Sequence, residues 1–169
     1  MAAPASLWAP LVLARVLAAD APTVSQLDNH RVRGVIAVDA PVEKVRAVLA
    51  DPQLIARIDN SGTTVTLKGR DGLCLLTHSA VAHPIARIEY VTRVCPIPGG
   101  WRSTLFQSDD LLDFESVWTV AARSGGAEVH YEIRTIPDIP VPQFIVDRQT
   151  RASVRTLLVK LRTYLEETP

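Results

Sequence analysis

Apolar and polar residues alternate along most of the chain between Gly62 and Pro137. An alternation with a period of two is typical of antiparallel strands that bury one face and expose the other. An earlier run of β-branched residues, RVRGVIAVD at 31–39, predicts one more strand. Clusters of Gly, Pro, Ser and Asp predict the turns of the alternating region, at 69–72, 83–84, 96–100, 108–110 and 124–126. We therefore expect one strand early in the chain and six more after residue 62.

Three other segments carry apolar residues at the three- and four-residue spacing of a helix. The first covers residues 41–50 and starts at a proline, which suits a first helical turn. The second starts at Asp51-Pro52 and ends at Asn60-Ser61-Gly62. The third covers roughly residues 141–167, with Val154, Leu157, Leu158, Leu161 and Leu165 on one face. Together with the strands, these helices predict an α+β fold that closes with a long helix.

The turn positions also predict which face of the sheet each side chain occupies, because residues directly opposite each other share a face. Aligning each hairpin about its turn places Trp118 opposite Tyr131, and Phe106 opposite both Tyr90 and Phe114. The resulting inner face carries Leu75, Thr77, Ser79, Tyr90, Thr92, Val94, Arg102, Thr104, Phe106, Phe114, Ser116, Trp118, Tyr131 and Ile133. Aromatic rings mixed with hydroxyls suit a pocket for a largely apolar ligand with a polar end. The alternative is a solid core whose hydroxyls bond to the backbone.

Length, composition and charge narrow the class of protein. A chain of 169 residues with 47% hydrophobic residues is the size of one domain and can bury a sizeable core. Eighteen basic residues balance eighteen acidic ones, so the formal net charge is zero. This balance removes the general attraction on which non-specific nucleic-acid binding depends, and we expect no nucleic-acid partner. We assign residues 31–167 to the single domain.

Residues 1–30 differ from the rest and form an N-terminal extension or a possible, partial signal segment. The apolar run LWAPLVLA at 7–14 is too short to span a membrane as a helix. Ala19-Asp20-Ala21 has the small-x-small pattern that signal peptidase cleaves, although no Lys or Arg precedes Leu7. Of the two interpretations we favour export, which would make the protein periplasmic or secreted rather than cytoplasmic.

Three strings resemble the START-related (SRPBCC) superfamily, which includes polyketide cyclase/dehydrase and coenzyme-Q-binding groups. They are VDAPVEKVRAVLADPQ (38–53), FESVWTVAARSGGAEVHYEI (114–133) and PVPQFIVDRQTRASVRTLLVKLRTYLE (140–166). The resemblance implies a helix-grip fold, in which a curved seven-stranded antiparallel sheet wraps around the long C-terminal helix and two short helices follow the first strand. Members of the superfamily carry lipids, isoprenoids, hormones or polyketides, and some catalyse aldol cyclisation or dehydration, so the fold leaves the ligand open.

Three functions are compatible with these features. The first is non-enzymatic binding or transport of a hydrophobic or lipid-like ligand by a monomer or weak dimer that contacts membranes transiently. Its walls would include Tyr90, Thr92, Thr104, Phe106, Phe114, Trp118, Tyr131 and Ile133 from the sheet, and Phe144, Val154, Leu158 and Leu161 from the helix. The second is a cyclase or dehydratase in which Arg102 stabilises an enolate and Tyr90 or Tyr131 donates a proton. The third is an interaction module with a filled cavity.

Arg102 is the only charged residue on the predicted inner face. It would bind a ligand anion with its fork of donors, or it would lie at a strand end and extend to water. The four histidines lack metal-ligand spacing and no Gly-rich phosphate loop is present, so we expect neither a metal nor a cofactor. Cys74 and Cys95 fall opposite each other on the outer face of neighbouring strands, close enough for a disulfide in an exported protein.

Overall fold

The computed structural model describes residues 21–27, 30–82 and 87–168. Three helices and eight strands follow one another in the order β1, β2, α1, α2, β3 to β8, α3. The strands are β1 (Thr23–Gln26), β2 (Arg31–Val38), β3 (Thr63–Asp71), β4 (Cys74–Ala82), β5 (Arg87–Ile97), β6 (Gly100–Ser108), β7 (Leu111–Arg123) and β8 (Gly126–Pro137). The helices are α1 (Val42–Leu49), α2 (Pro52–Asp59) and α3 (Gln143–Glu167). The predicted α+β order is confirmed.

All eight strands form one antiparallel sheet, in the order β1-β2-β8-β7-β6-β5-β4-β3. The sheet curves around α3, and α2 lies between α3 and β3. The sheet therefore has eight strands where we expected seven. The additional strand, β1, is only four residues long and pairs with β2, within the segment that we had assigned to the N-terminal extension. Residues 1–20 of the predicted extension or partial signal segment (1–30) lie outside the described residues.

Residues at the two ends of α2 explain where this short helix begins and ends. The Asp51 carboxylate accepts hydrogen bonds from the backbone N–H groups of Gln53 and Leu54 at 2.9 and 3.0 Å, which caps the first turn of α2. Asn60 adopts a left-handed conformation with φ of 46° and ends the helix. These signals are local, which explains why α2 was predictable.

The apolar core lies between α3, α1 and one half of the sheet. Fully buried residues of α3, including Leu158, Leu161 and Leu165, pack against Val32 and Val129 of β2 and β8. A Cβ at Gly34 would lie 2.6 Å from side-chain atoms of both Val154 and Leu158. The missing side chain thus allows α3 to lie directly on β2. This part of the interior is solid.

Two of the predicted hairpin registers are confirmed. Trp118 lies opposite Tyr131 in the β7–β8 pair, and Tyr90 lies opposite Ser79 in the β4–β5 pair. Cys74 and Cys95, which that β4–β5 register places opposite each other, are joined by a disulfide with Cα atoms 4.3 Å apart.

The predicted register of β6 was wrong. The β5–β6 turn consists of two residues, Pro98 and Gly99, so Val94 pairs with Ser103 and not with Arg102. Because side chains alternate across a strand, this one-residue shift exchanges the two faces of β6 as far as Leu105, beyond which an irregularity opposite Val91 and Thr92 shifts the pairing again. Arg102, Thr104 and Phe106 therefore lie outside the face on which we expected them.

Candidate functional site

A cavity of about 360 Å³ separates the other half of the sheet from α2 and the first half of α3. Its lining includes the exposed Ser61 and Ser153, so it opens to solvent beside α2 and α3. The lining residues from the helices and adjoining loop are Leu49, Pro52, Ile55, Ala56, Asp59, Ser61, Val146, Gln149, Thr150, Ser153, Val154 and Leu157. Those from the sheet are Thr63, Val65, Thr77, Ser79, Val81, Ile88, Tyr90, Thr92, Val94, Trp101, Ser103, Leu111, Phe114, Trp118, Tyr131, Ile133 and Thr135.

Aromatic side chains form one wall of this cavity. Trp118 and Tyr131 are cross-strand neighbours whose rings stack with centroids 3.8 Å apart and an interplanar angle of 19°. The rings of Tyr90 and Phe114 lie 5.0 Å apart in a tilted arrangement. All four side chains are largely removed from water by their neighbours, so they present rigid apolar surface to whatever occupies the cavity.

Buried hydroxyls lie beside the aromatic rings. The Thr77 and Thr92 hydroxyls are hydrogen bonded to each other at 2.8 Å, which satisfies both. Burial raises the pKa of Tyr90, and its hydrogen bond with Ser79 only partly offsets this. Burial also raises the pKa of Tyr131; the charge interactions with Tyr90 and Asp59 act in the same direction, and a hydrogen bond with Ser116 acts against them. Both phenols are therefore protonated at neutral pH and can donate a hydrogen bond to a ligand oxygen.

Of the residues predicted to bind ligand, seven lie together on the cavity. They are Tyr90, Thr92, Phe114, Trp118, Tyr131, Ile133 and Val154. Leu158 and Leu161 lie beneath them in the solid part of the core, where neither is exposed at all. Four others, Arg102, Thr104, Phe106 and Phe144, are not among the lining residues.

The three residues from β6 miss the cavity because of the register shift. The side chain of Arg102 is 53% exposed on the outer face, with its Nε 3.5 Å from the Glu115 carboxylate. Phe106 is 51% exposed, and the Arg93 guanidinium lies 5.3 Å from its ring centroid. Thr104 pairs with Arg93 and Glu115 on that same outer face. Arg102 thus extends to water from the outer face, whereas both interpretations of it had placed it on the inner face.

Phe144 misses the cavity because of helical phase. It lies two residues before Val146, which lines the cavity, and two residues correspond to roughly 200° around a helix. Phe144 accordingly faces away and is 71% exposed.

Several lining residues were not predicted. Trp101 and Ser103 replace Arg102 and Thr104 on the inner face, again because of the register shift. The contribution of α2 was missed entirely, although one sequence signal indicated it. Leu54, Ile55 and Ile58 repeat at helical spacing; all three are partly buried against the core, and Ile55 also lines the cavity.

Among the described residues, no group of His, Cys, Asp and Glu could hold a metal ion. Within the same residues, none of the helices is both long and apolar enough to cross a membrane.

A curved antiparallel sheet that holds a long C-terminal helix, with an internal cavity between them, defines the START-like class of helix-grip proteins. The chain belongs to the family described as polyketide cyclase / dehydrase and lipid transport, whose sequence model matches residues 29–166. Comparison with curated proteins gave no sequence match.

Solved structures share the fold at low sequence identity. A START superfamily protein from Mycobacterium smegmatis is 15% identical, with a TM-score of 0.72 over 82% of this chain and 99% of that one. A STAR-related lipid transfer protein from Xanthomonas axonopodis is 13% identical, with a TM-score of 0.64 over 86% and 99%. The Zhui aromatase/cyclase from Streptomyces sp. R1128 is 13% identical, with a TM-score of 0.64 over 81% and 96%. At these levels of sequence identity, the similarity shows a shared fold and does not show a shared function.

Proposed function

We propose that the protein binds or transports a hydrophobic small molecule or lipid-like ligand, held in the cavity between the sheet and α3. The observation that carries this proposal is the cavity itself, about 360 Å³ in volume and walled by stacked aromatic rings. Pockets for small ligands usually occupy about 300–1,000 Å³ and combine apolar walls with a few polar groups. Affinity would come mainly from apolar burial, at about 25 cal/mol per Å².

The hydroxyl groups suggest where the polar end of the ligand binds. The protonated phenols of Tyr90 and Tyr131 are hydrogen-bond donors on a wall of aromatic rings and smaller hydroxyl side chains. A ligand oxygen that accepts from either phenol would fix the orientation of the ligand, whereas its apolar body would lie against Phe114 and Trp118.

A cyclase or dehydratase is the second candidate, and the two buried phenols are the observation that favours it. Both phenols carry a proton that a general acid could donate, and burial, by raising their pKa values, makes them weaker acids than an exposed tyrosine. The enolate stabiliser that we expected, Arg102, lies on the outer face and cannot reach the cavity. No Lys, Arg or His lines the cavity among the described residues, so such an enzyme would depend on hydroxyl donors alone.

Native mass spectrometry of the purified protein, followed by organic extraction, tests the proposal. We expect a stoichiometric apolar molecule, and its conversion to a new product on incubation would favour the enzyme over the carrier. Ser103→Phe places a ring in the cavity and should abolish ligand retention. Thr104→Phe adds the same ring on the opposite face of the same strand and should leave retention unchanged.

The result that would contradict the proposal is a folded protein that retains nothing from several expression hosts and excludes neutral hydrophobic dyes. It would favour an interaction module with a filled interior. Export, transient membrane contact and a monomeric or weakly dimeric state stay predictions.

A further inference from the structure

The residues that line the cavity are almost all uncharged. Of its lining residues, all of which the structure describes, Asp59 is the one that carries a formal charge at neutral pH. The others are apolar, hydroxyl-bearing or, in the case of Gln149, an amide. The phenols of Tyr90 and Tyr131 are neutral at this pH, because the ordinary pKa of tyrosine is about 10 and burial raises it. The cavity thus contains a carboxylate and no cation.

Asp59 is the last residue of α2, and the cation that contacts it, Lys160, binds its backbone carbonyl and forms no ion pair with its carboxylate. The Ser61 hydroxyl donates a hydrogen bond to the Asp59 carboxylate, and the Lys160 ammonium donates to the Asp59 backbone carbonyl. None of the ion pairs between described residues involves the Asp59 carboxylate. Glu115 on the outer face is different, because Arg31 approaches its carboxylate to 2.6 Å.

The charge of Asp59 acts on the interior of the cavity. Its interaction with Tyr131 contributes to the raised pKa of that phenol, after burial and the interaction with Tyr90. The phenol of Tyr131 is a donor that a ligand oxygen would contact, so a ligand bound there experiences the same field.

We propose that Asp59 makes the cavity select against anionic ligands, so that its occupant is an apolar molecule with an uncharged polar end such as a hydroxyl or carbonyl. This inference rests on the proposed ligand-binding function and adds the chemical class of the ligand to it. A carboxylate that enters the cavity loses its hydration and finds no cation to replace it. It also experiences repulsion from Asp59 at an effective dielectric constant well below that of water.

The test compares ligands that share one chain and differ in the head group. 1-Decanol, decanoate and decylamine compete at pH 7.5 with a neutral fluorescent probe, N-phenyl-1-naphthylamine, for the full-length protein. We expect decanoate to bind about tenfold or more weakly than 1-decanol, which corresponds to about 1.4 kcal/mol. Raising the salt concentration from 20 mM to 500 mM should narrow the difference, because salt screens a charge at a solvent-connected site.

Asp59→Asn removes the charge and keeps an acceptor for the Ser61 hydroxyl. It should strengthen decanoate binding about threefold or more, weaken decylamine binding, and leave 1-decanol unchanged. Asp109→Asn is the matched control, since it removes the same charge from an exposed turn outside the cavity. It should change none of the three affinities.

Two results would overturn this inference while leaving the proposed function intact. One is decanoate binding as tightly as 1-decanol in the native protein, and the other is the same change in decanoate affinity from both variants. A protein that takes up neither the probe nor any of the three ligands would overturn the proposed function, and the inference with it.

Discussion

Reduction of the Cys74–Cys95 disulfide should lower the stability of the fold by an amount that follows from its position. The bridge joins β4 to β5 across a sequence separation of 21 residues. In the chain-entropy account, closing a loop of this length in the unfolded state corresponds to about 3 kcal/mol. The folded state changes little, because the β4–β5 ladder holds the two strands together without the bridge. For a domain of this size we expect the melting temperature to fall by roughly 10 °C.

Urea denaturation followed by tryptophan fluorescence, with and without a thiol reductant, measures this difference. The double variant Cys74→Ser/Cys95→Ser is the control: it should match the reduced protein and not respond to reductant. If thiol titration shows complete reduction while the urea midpoint stays at the oxidised value, the loop-entropy reasoning is refuted. A loss far above about 5 kcal/mol would also refute it, because the bridge would then be required for native packing.

Three further predictions concern other parts of the molecule. Arg102→Ala should leave ligand retention unchanged in native mass spectra and cost less than about 1 kcal/mol in urea denaturation, because its ion pair with Glu115 is on the surface. Leu161→Ala should lower the free energy of unfolding by about 2–5 kcal/mol, since that side chain is completely buried beneath the cavity. The hydrogen bond and charge of Arg31 lower the pKa of Glu115 in the folded protein. The stabilisation from this interaction is fully present above the pKa of Glu115 in the unfolded chain, about 4.3, and is lost as the pH falls through its pKa in the folded protein. Arg31→Gln should therefore make the free energy of unfolding depend less steeply on pH in this acidic range. If the native protein and the Arg31→Gln variant lose the same free energy of unfolding on acidification, this prediction is contradicted.

The sequence alone determined the three helices, the strands β2 to β8 and much of the strand pairing. Proline starts, an aspartate cap and regular apolar spacing define the three helices, and each of these signals acts within a few residues. The registers of β4–β5 and β7–β8, and with them the pairing of Cys74 with Cys95, were also predicted from the sequence.

Only the tertiary structure shows which side chains of β6 face the cavity and which residues of α2 line it. The observed two-residue turn at Pro98-Gly99 shifts the β5–β6 register by one residue relative to the five-residue turn predicted at 96–100. A shift of one residue is enough to place Trp101 on the inner face instead of Arg102. The position of Asp59 on the cavity depends on how α2 packs between β3 and α3, a contact between segments far apart in the sequence. Local sequence patterns determine whether a segment forms a helix or a strand. Which of its side chains line the cavity depends on how segments far apart in the sequence pack together, and a local pattern contains no information on that packing.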